Sequence, residues 1–295
     1  MSTGSEEVPE RDPRRERPGR TVRTPVRRVR GTSIGPSEWD EVVTEEPLEI
    51  RVATGGDRDS EPVAVTMRTP GHDFELAAGF VLTEGIARDP AEIKGLRYCT
   101  LPEEEQLFNV VNVDLVRPEP LNLEAVRRNL YVASSCGICG RASIDRVRLQ
   151  GLRTPAPGPT LRPKIFEGLA DRLRAEQSVF ARTGGLHATG VADGHGSVRL
   201  VREDVGRHNA FDKVVGRLAL DGGIPASSSI AIVSGRASFE LVQKALVAGF
   251  PVLAAVGAPS HLAIDLAREY GLTLIGFLRG DRFNVYSGER RLAAD

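Results

Sequence analysis

Three near-continuous apolar runs in the second half of the chain restrict its fold most: Ser229 to Ser234 (SIAIVS), Val252 to Val256 (VLAAV) and Leu272 to Leu278 (LTLIGFL). A strand with one wet face alternates apolar and polar residues, whereas a run without alternation belongs to a strand covered on both faces. Between the runs lie two helical patterns, one carrying Leu241, Val242, Ala245 and Leu246, the other Leu262, Ile264, Leu266 and Ala267. The order strand, helix, strand, helix, strand predicts a parallel sheet with right-handed crossovers. Upstream, Ile165, Leu169 and Leu173 predict a helix, Asp193-Gly194-His195-Gly196 a hairpin turn, and Phe211, Val214, Val215 and Leu218 a further helix. Residues 131–290 are therefore expected to form a layered α/β domain.

The first half follows other rules. Leu48, Ile50 and Val52 alternate with Glu49 and Arg51, and Val63, Val65 and Met67 alternate again after the turn-rich Gly55-Gly56-Asp57. This spacing predicts a β-hairpin. Phe74, Ala77, Ala78, Val81 and Leu82 then recur at helical spacing up to Gly85, and Val111, Val113 and Leu115 mark another strand, ended by Pro118 and Pro120. Residues 41–130 read as a small α+β domain. In the segment 1–40, the first thirty residues hold nine arginines, five acidic residues and four prolines, with no aromatic residue and no apolar period. A disordered, Arg-rich tail is expected there. Neither Arg14-Arg15 nor Arg27-Arg28 is followed by the apolar stretch of a twin-arginine export signal.

A length of 295 residues suits two domains, and 39 basic against 40 acidic residues exclude a protein that wraps nucleic acid by bulk charge. No segment approaches the ~20 apolar residues of a membrane span. Of three cysteines, two lie in CxxC, which points to reactive or metal-binding thiols and a cytoplasmic setting more than to a secreted disulfide framework.

That CxxC lies in Ser134-Ser135-Cys136-Gly137-Ile138-Cys139-Gly140, between a strand-like Leu130 to Ala133 and a helical Ala142 to Leu149. Both thiols would then sit near a helix N-terminus, where backbone partial charge, with Arg141 beside them, favours thiolate. Sulfur transfer, dithiol redox chemistry and metal binding all use such a pair, and inert burial is a fourth reading. A zinc deaminase would add His-x-Glu, but His187-Ala188-Thr189 puts Thr189 in the glutamate's place and follows the cysteines, reversing the usual order. His187 reads equally as a structural histidine. Asp204, Arg207, His208, Asn209, Asp212 and Lys213 crowd a helix start, either as caps and local ion pairs or as an anion or proton site.

Two loops, Ser234-Gly235-Arg236-Ala237-Ser238 and Val256-Gly257-Ala258-Pro259-Ser260, follow buried strands, at the edge where open α/β sheets bind ligands. Phe277-Leu278-Arg279-Gly280-Asp281-Arg282 ends the third strand and sets two guanidinium groups on a turn, suited to phosphate or a purine edge, or else a plain exposed loop. Cys99 has no motif partner and is expected to be buried.

Taken in order, Ser-Ser-Cys-Gly-Ile-Cys-Gly at 134–140, Thr-Gly-Gly-Leu-His-Ala at 183–188, Arg-Glu-Asp-Val-Gly-Arg-His-Asn-Ala at 202–210, Ser-Gly-Arg at 234–236 and Gly-Phe-Leu-Arg-Gly-Asp-Arg-Phe-Asn-Val-Tyr at 276–286 resemble the FdhD/NarQ family of formate dehydrogenase accessory sulfurtransferases. The resemblance covers roughly residues 40–288. It implies a cytidine-deaminase-like C-terminal domain, a homodimer, and a carrier that accepts persulfide sulfur from a cysteine desulfurase. The sulfur passes to the molybdenum bis(molybdopterin guanine dinucleotide) cofactor, which then enters formate dehydrogenase. Cys136 matches the persulfide-carrying cysteine, Cys139 the second cysteine, and Phe277 to Arg282 the cofactor-binding segment. The expected cofactor contacts from the strand-edge argument are Ser234, Gly235, Arg236 and Gly257. The competing expectation is a chaperone that binds the cofactor without sulfur transfer, its CxxC a redox or zinc site.

Overall fold

The computed structural model describes residues 17–53, 60–99, 108–116 and 152–293. Its first element corrects the expected tail. Strand β1 (Thr21–Arg30) pairs antiparallel with β2 (Ser33–Val43) in a two-stranded ribbon that turns at Gly31, φ 61°. Val22, Thr24 and Val26 are β-formers set between arginines, so alternation is present beneath the charge. A lone ribbon is marginal in water. This one is tied down at its base, where the Arg182 guanidinium donates to Glu41 at 2.7 Å and Arg20 pairs with Glu203 at 3.6 Å.

Strand β3 (Glu46–Ala53) pairs antiparallel with β4 (Glu61–Arg68), the expected hairpin. Helix α1 (Asp73–Thr83) follows, then β5 (Ile93–Tyr98) and β6 (Val110–Leu115), giving a four-stranded sheet in the order β4-β3-β6-β5. Alternation aims Leu48, Ile50, Val111 and Val113 at Leu76, Ala77 and Val81 of α1, forming one core. Each fully buried Val, Leu or Ile there contributes ~1.5–3 kcal/mol.

The second unit runs α2 (Leu169–Ala175), α3 (Ser178–Thr183), β7 (His187–Ala192), β8 (Val198–Asp204), α4 (Arg207–Leu220), β9 (Ile230–Val233), α5 (Phe239–Val247), β10 (Val252–Ala255), α6 (His261–Glu269), β11 (Thr273–Arg279) and β12 (Arg282–Ser287). The helix expected around Ile165 and Leu169 is broken into a 3-10 turn, Pro163–Phe166, and α2, with Gly168 at φ 63° between them. The sheet order is β12-β11-β10-β9-β7-β8, and β9, β10 and β11 are parallel, as the apolar runs predict. Both faces are covered. Ala231, Val233, Leu253 and Leu274 pack with α4, α5 and α6, while Ile230, Ile232, Val252, Ala254 and Ile275 pack with Phe166, Leu169 and Leu173. Among the described residues no helix is long and apolar enough to cross a membrane.

The two units meet where α1 crosses α4. A Cβ added at Gly79 would lie 1.8 Å from the Asp212 carbonyl oxygen, and one at Gly216 1.8 Å from that of Glu75. Only hydrogen fits at that crossing. Beside it the buried Lys244 ammonium donates to Asp212 at 2.9 Å, Glu84 at 2.8 Å and the Thr83 hydroxyl at 2.8 Å. Burial works against this charge, but Asp212 and Glu84 outweigh it and hold the ammonium above the ordinary lysine range.

Candidate functional site

Because β9, β10 and β11 are parallel, the loops after them emerge at one edge. Hydrogen bonds join them in series: the Gly257 amide donates to the Gly235 carbonyl at 2.9 Å, and the Phe277 amide to the Gly257 carbonyl at 3.1 Å. A Cβ at Gly257 would stand 2.9 Å from the Gly235 carbonyl oxygen, so this rung requires glycine. Ser238 and Ser260 then cap α5 and α6, accepting from Leu241 and Ala263 at 3.4 and 3.3 Å.

The expected cofactor contacts divide on this edge. Phe277 is exposed and held at φ 55°, and Arg236, Arg279, Gly280, Asp281 and Arg282 are exposed as well. Arg279 and Arg282 stand opposite each other across the β11–β12 turn, and neither they nor Arg236 has an acidic partner among the described residues. Two further expected contacts have other work. The Leu278 side chain is buried in the core against α2, because it points to the opposite face from Phe277, and so offers nothing to a ligand. Ser234 Oγ accepts the Ala188 amide at 2.9 Å and stitches β7 to β9.

Antiparallel pairing brings the start of β7 and the end of β8 to the same edge. His187 lies beside Gly235, whose Cβ would fall 3.4 Å from its Nδ1. Burial, and then the Arg207 and His208 charges, hold His187 below the ordinary histidine range and so favour its neutral form. His208 Nε2 lies 2.7 Å from Glu240 Oε2 and 3.4 Å from Ser238 Oγ, and His208 in turn lowers the Glu240 carboxyl. Glu240 went unnoticed in the sequence, since it lies on α5, far along the chain from His208. Arg207 Nε and Thr189 Oγ1 are buried there without hydrogen-bond partners.

The other polar residues of 202–216 serve the fold. Lys213 and Asp204 form a fully buried pair at 2.6 Å, with the Lys213 ammonium also donating to the Thr69 carbonyl at 2.9 Å. Burial, outweighing Asp204, holds Lys213 below the ordinary lysine range. Asp204 accepts from the amides of Thr69 and Gly206 at 3.2 and 2.9 Å, and Asn209 donates to the Met67 carbonyl at 2.8 Å. Cys99 is buried at the end of β5, with its amide bonded to the Val110 carbonyl at 3.0 Å. Cys136 and Cys139, with the strand and helix expected around them, lie outside the described residues, as does the Gly55-Gly56-Asp57 turn.

The order of these motifs is matched elsewhere. A sequence profile of the FdhD/NarQ family matches residues 43–293. The chain belongs to this family. The sulfur carrier protein FdhD of Streptomyces avermitilis is 49% identical over 277 residues, covering 92% of this chain and 96% of that one. The protein of the same name from Mycobacterium tuberculosis is 46% identical over 285 residues, covering 91% and 98%. A crystal structure of a candidate formate dehydrogenase accessory protein from Desulfotalea psychrophila superposes with a TM-score of 0.70 at 21% identity, over 92% of this chain and 99% of that one. This likeness is one of fold.

Proposed function

We propose that the protein is a sulfur carrier serving formate dehydrogenase, with Cys136 the carrying thiol. The observation that carries this reading is a CxxC pair, Cys136 and Cys139, in a chain 49% identical to a sulfur carrier protein. The Cys136 thiolate attacks the outer sulfur of a cysteine desulfurase persulfide; the donor's S–S bond breaks, its thiolate leaves, and Cys136 becomes the persulfide. Attack by Cys139 on the Cys136 sulfur then releases hydrosulfide and leaves a Cys136–Cys139 disulfide. A cellular dithiol reductant reopens it for the next round.

The cargo that receives the sulfur is the molybdenum bis(molybdopterin guanine dinucleotide) cofactor, held at the loop edge. The residues fit such a cargo. Exposed Phe277 offers a ring to a purine, and Arg236, Arg279 and Arg282 offer guanidinium groups to diphosphate. Like charges set opposite across a turn repel, so Arg279 and Arg282 gain from an anion between them. Gly257 brings its loop against the Gly235 carbonyl and so holds Arg236 and Phe277 on one surface. We further assign the second unit a cytidine-deaminase-like layering, with Thr189 removing deaminase chemistry, and the whole protein to a homodimer in the cytoplasm.

Intact mass after incubation with a cysteine desulfurase and cysteine tests the carrier step. A reductant-labile gain of one sulfur atom is expected, absent in Cys136→Ala. No gain while the desulfurase itself is loaded, with formate dehydrogenase still activated by Cys136→Ala, would instead identify a cofactor chaperone.

A further inference from the structure

A cavity of about 470 Å³ opens at the other end of α4, between the α1 N-terminus, the β5–β6 edge and the Arg17–Arg20 strap that leads into β1. That volume lies within the ~300–1,000 Å³ of small-molecule pockets. One wall is aromatic: Phe74 and Tyr98 rings lie 4.9 Å apart, Tyr98 and Phe108 5.2 Å, and the Arg17 guanidinium covers Tyr98 and Phe108 at 5.1 and 5.4 Å. The wall is braced from behind. Fully buried Arg68 donates to Asp73 at 3.0 and 3.2 Å and to the Phe108 carbonyl at 3.1 Å, and the Tyr98 hydroxyl donates to Asp73 at 3.1 Å.

The charge left over in this cavity is positive. Asp73 is engaged by Arg68, and Glu75 by Arg202 at 2.8 Å. Among the described residues Arg17 has only the ring faces, and Arg20, with Glu203 at 3.6 Å, keeps its Nε buried without a hydrogen-bond partner. At the cavity floor the amides of Asp73, Phe74 and Glu75 precede the first bond of α1, from Leu76 to His72 at 2.9 Å, and the His72 side chain does not cap them. Burial, with Asp73 next, pushes the Tyr98 phenol up to about 12, so the wall stays neutral and does not repel an anion.

Backbone strain marks the same place. Three non-glycine residues have positive φ among the described residues: His72 at 60° and Phe108 at 56° line this cavity, and Phe277 at 55° belongs to the loop edge. Such strain persists where a surrounding structure imposes it and gathers at ligand clamps.

We propose that this cavity is a second ligand site, for a planar organic anion of mononucleotide size, its ring against the Phe74–Tyr98–Phe108 wall and Arg17, its anionic group at the α1 N-terminus with Arg20. Arg17 and Arg20 precede residues 43–293, so the site draws on chain outside the family match and stands apart from the sulfur-carrier reading.

Hydrogen exchange of the full chain with and without GMP, and with inorganic phosphate as the ring-free control, tests it. GMP is expected to slow exchange at residues 73–76 by at least about fivefold. Arg17→Ala abolishes that slowing and Arg17→Lys, which keeps charge but not the flat stack, retains part of it. Arg17 is exposed, so both variants keep the wild-type melting temperature. Slowing confined to 234–238 and 277–282 would overturn this site while leaving the sulfur-carrier reading in place. Phosphate that protects 73–76 as fully as GMP would overturn the ring-binding part, and no slowing at 73–76 with either probe would overturn the whole.

Discussion

Lys213 and Lys244 are buried, their charges met by Asp204 in one case and by Asp212 and Glu84 in the other, whereas Arg236, Arg279 and Arg282 stand exposed at the loop edge without acidic partners among the described residues. The buried cations sit where α1 and β4 meet α4 and α5, and each reaches across the junction, Lys213 to Thr69 and Lys244 to Thr83. Lys213 and the exposed arginines all occur in polar motifs, whereas Lys244 lies in the mostly apolar α5. Location relative to the junction separates them: a cation within it holds two units in register, and one at the open edge is left for a ligand.

The junction half of this contrast is broken most severely by Gly79→Val or Gly216→Val. Either side chain collides with backbone across the helix crossing, and a loss above ~4 kcal/mol, with no cooperative unfolding transition in circular dichroism, is the expected result. Next comes Lys213→Met, which leaves Asp204 buried and unanswered; denaturant unfolding should show ~3–5 kcal/mol lost. Adding Asp204→Asn removes that charge, and the double variant should be more stable than Lys213→Met alone.

A smaller effect follows from Glu75. Burial raises its pKa, but Arg202 and His72 outweigh burial and bring it from 4.5 down to about 2. The stabilisation is therefore complete above the unfolded value near 4.5 and is lost as pH falls through about 2. Arg202→Ala should move the midpoint of acid unfolding upward in pH while leaving stability above pH 5 less affected than Lys213→Met does. The smallest change in stability belongs to the edge: Arg279→Ala with Arg282→Ala should stay within ~0.5 kcal/mol of wild type in thermal melts. Guanine nucleotide affinity should nevertheless fall by about tenfold or more in equilibrium dialysis. Destabilisation by this pair equal to that of Lys213→Met would erase the distinction.

The sequence discloses the two regions unequally. The parallel core was legible because Ile230 to Val233 and Val252 to Ala255 carry no polar residue, and burial on both faces leaves few other solutions. The β1–β2 ribbon was not, because Arg23, Arg27, Arg28 and Arg30 give its first strand the composition of a solvated tail, and its anchors, Glu41 to Arg182 and Arg20 to Glu203, join residues far apart in sequence. The loops 234–238 and 256–260 were recognisable as strand-edge turns, yet Leu278 lay within a motif whose alternation turns its side chain inward. Asp204 and Lys213 presented the composition of a reactive cluster, and only the proximity of Thr69 shows them as part of a junction. Gly79 and Gly216 gave no signal at all. A helix-interior glycine takes its meaning from the neighbour that touches it.

The rungs from Gly235 to Gly257 to Phe277 have a consequence for molecular recognition. Three loops that would otherwise move independently are coupled through main-chain bonds, and their helices are capped at Ser238 and Ser260. The conformational entropy of shaping this surface is surrendered during folding, before any ligand arrives. Association can then proceed as docking onto a formed template, and a distortion at one loop is felt at its neighbours as a shift of the same short ladder.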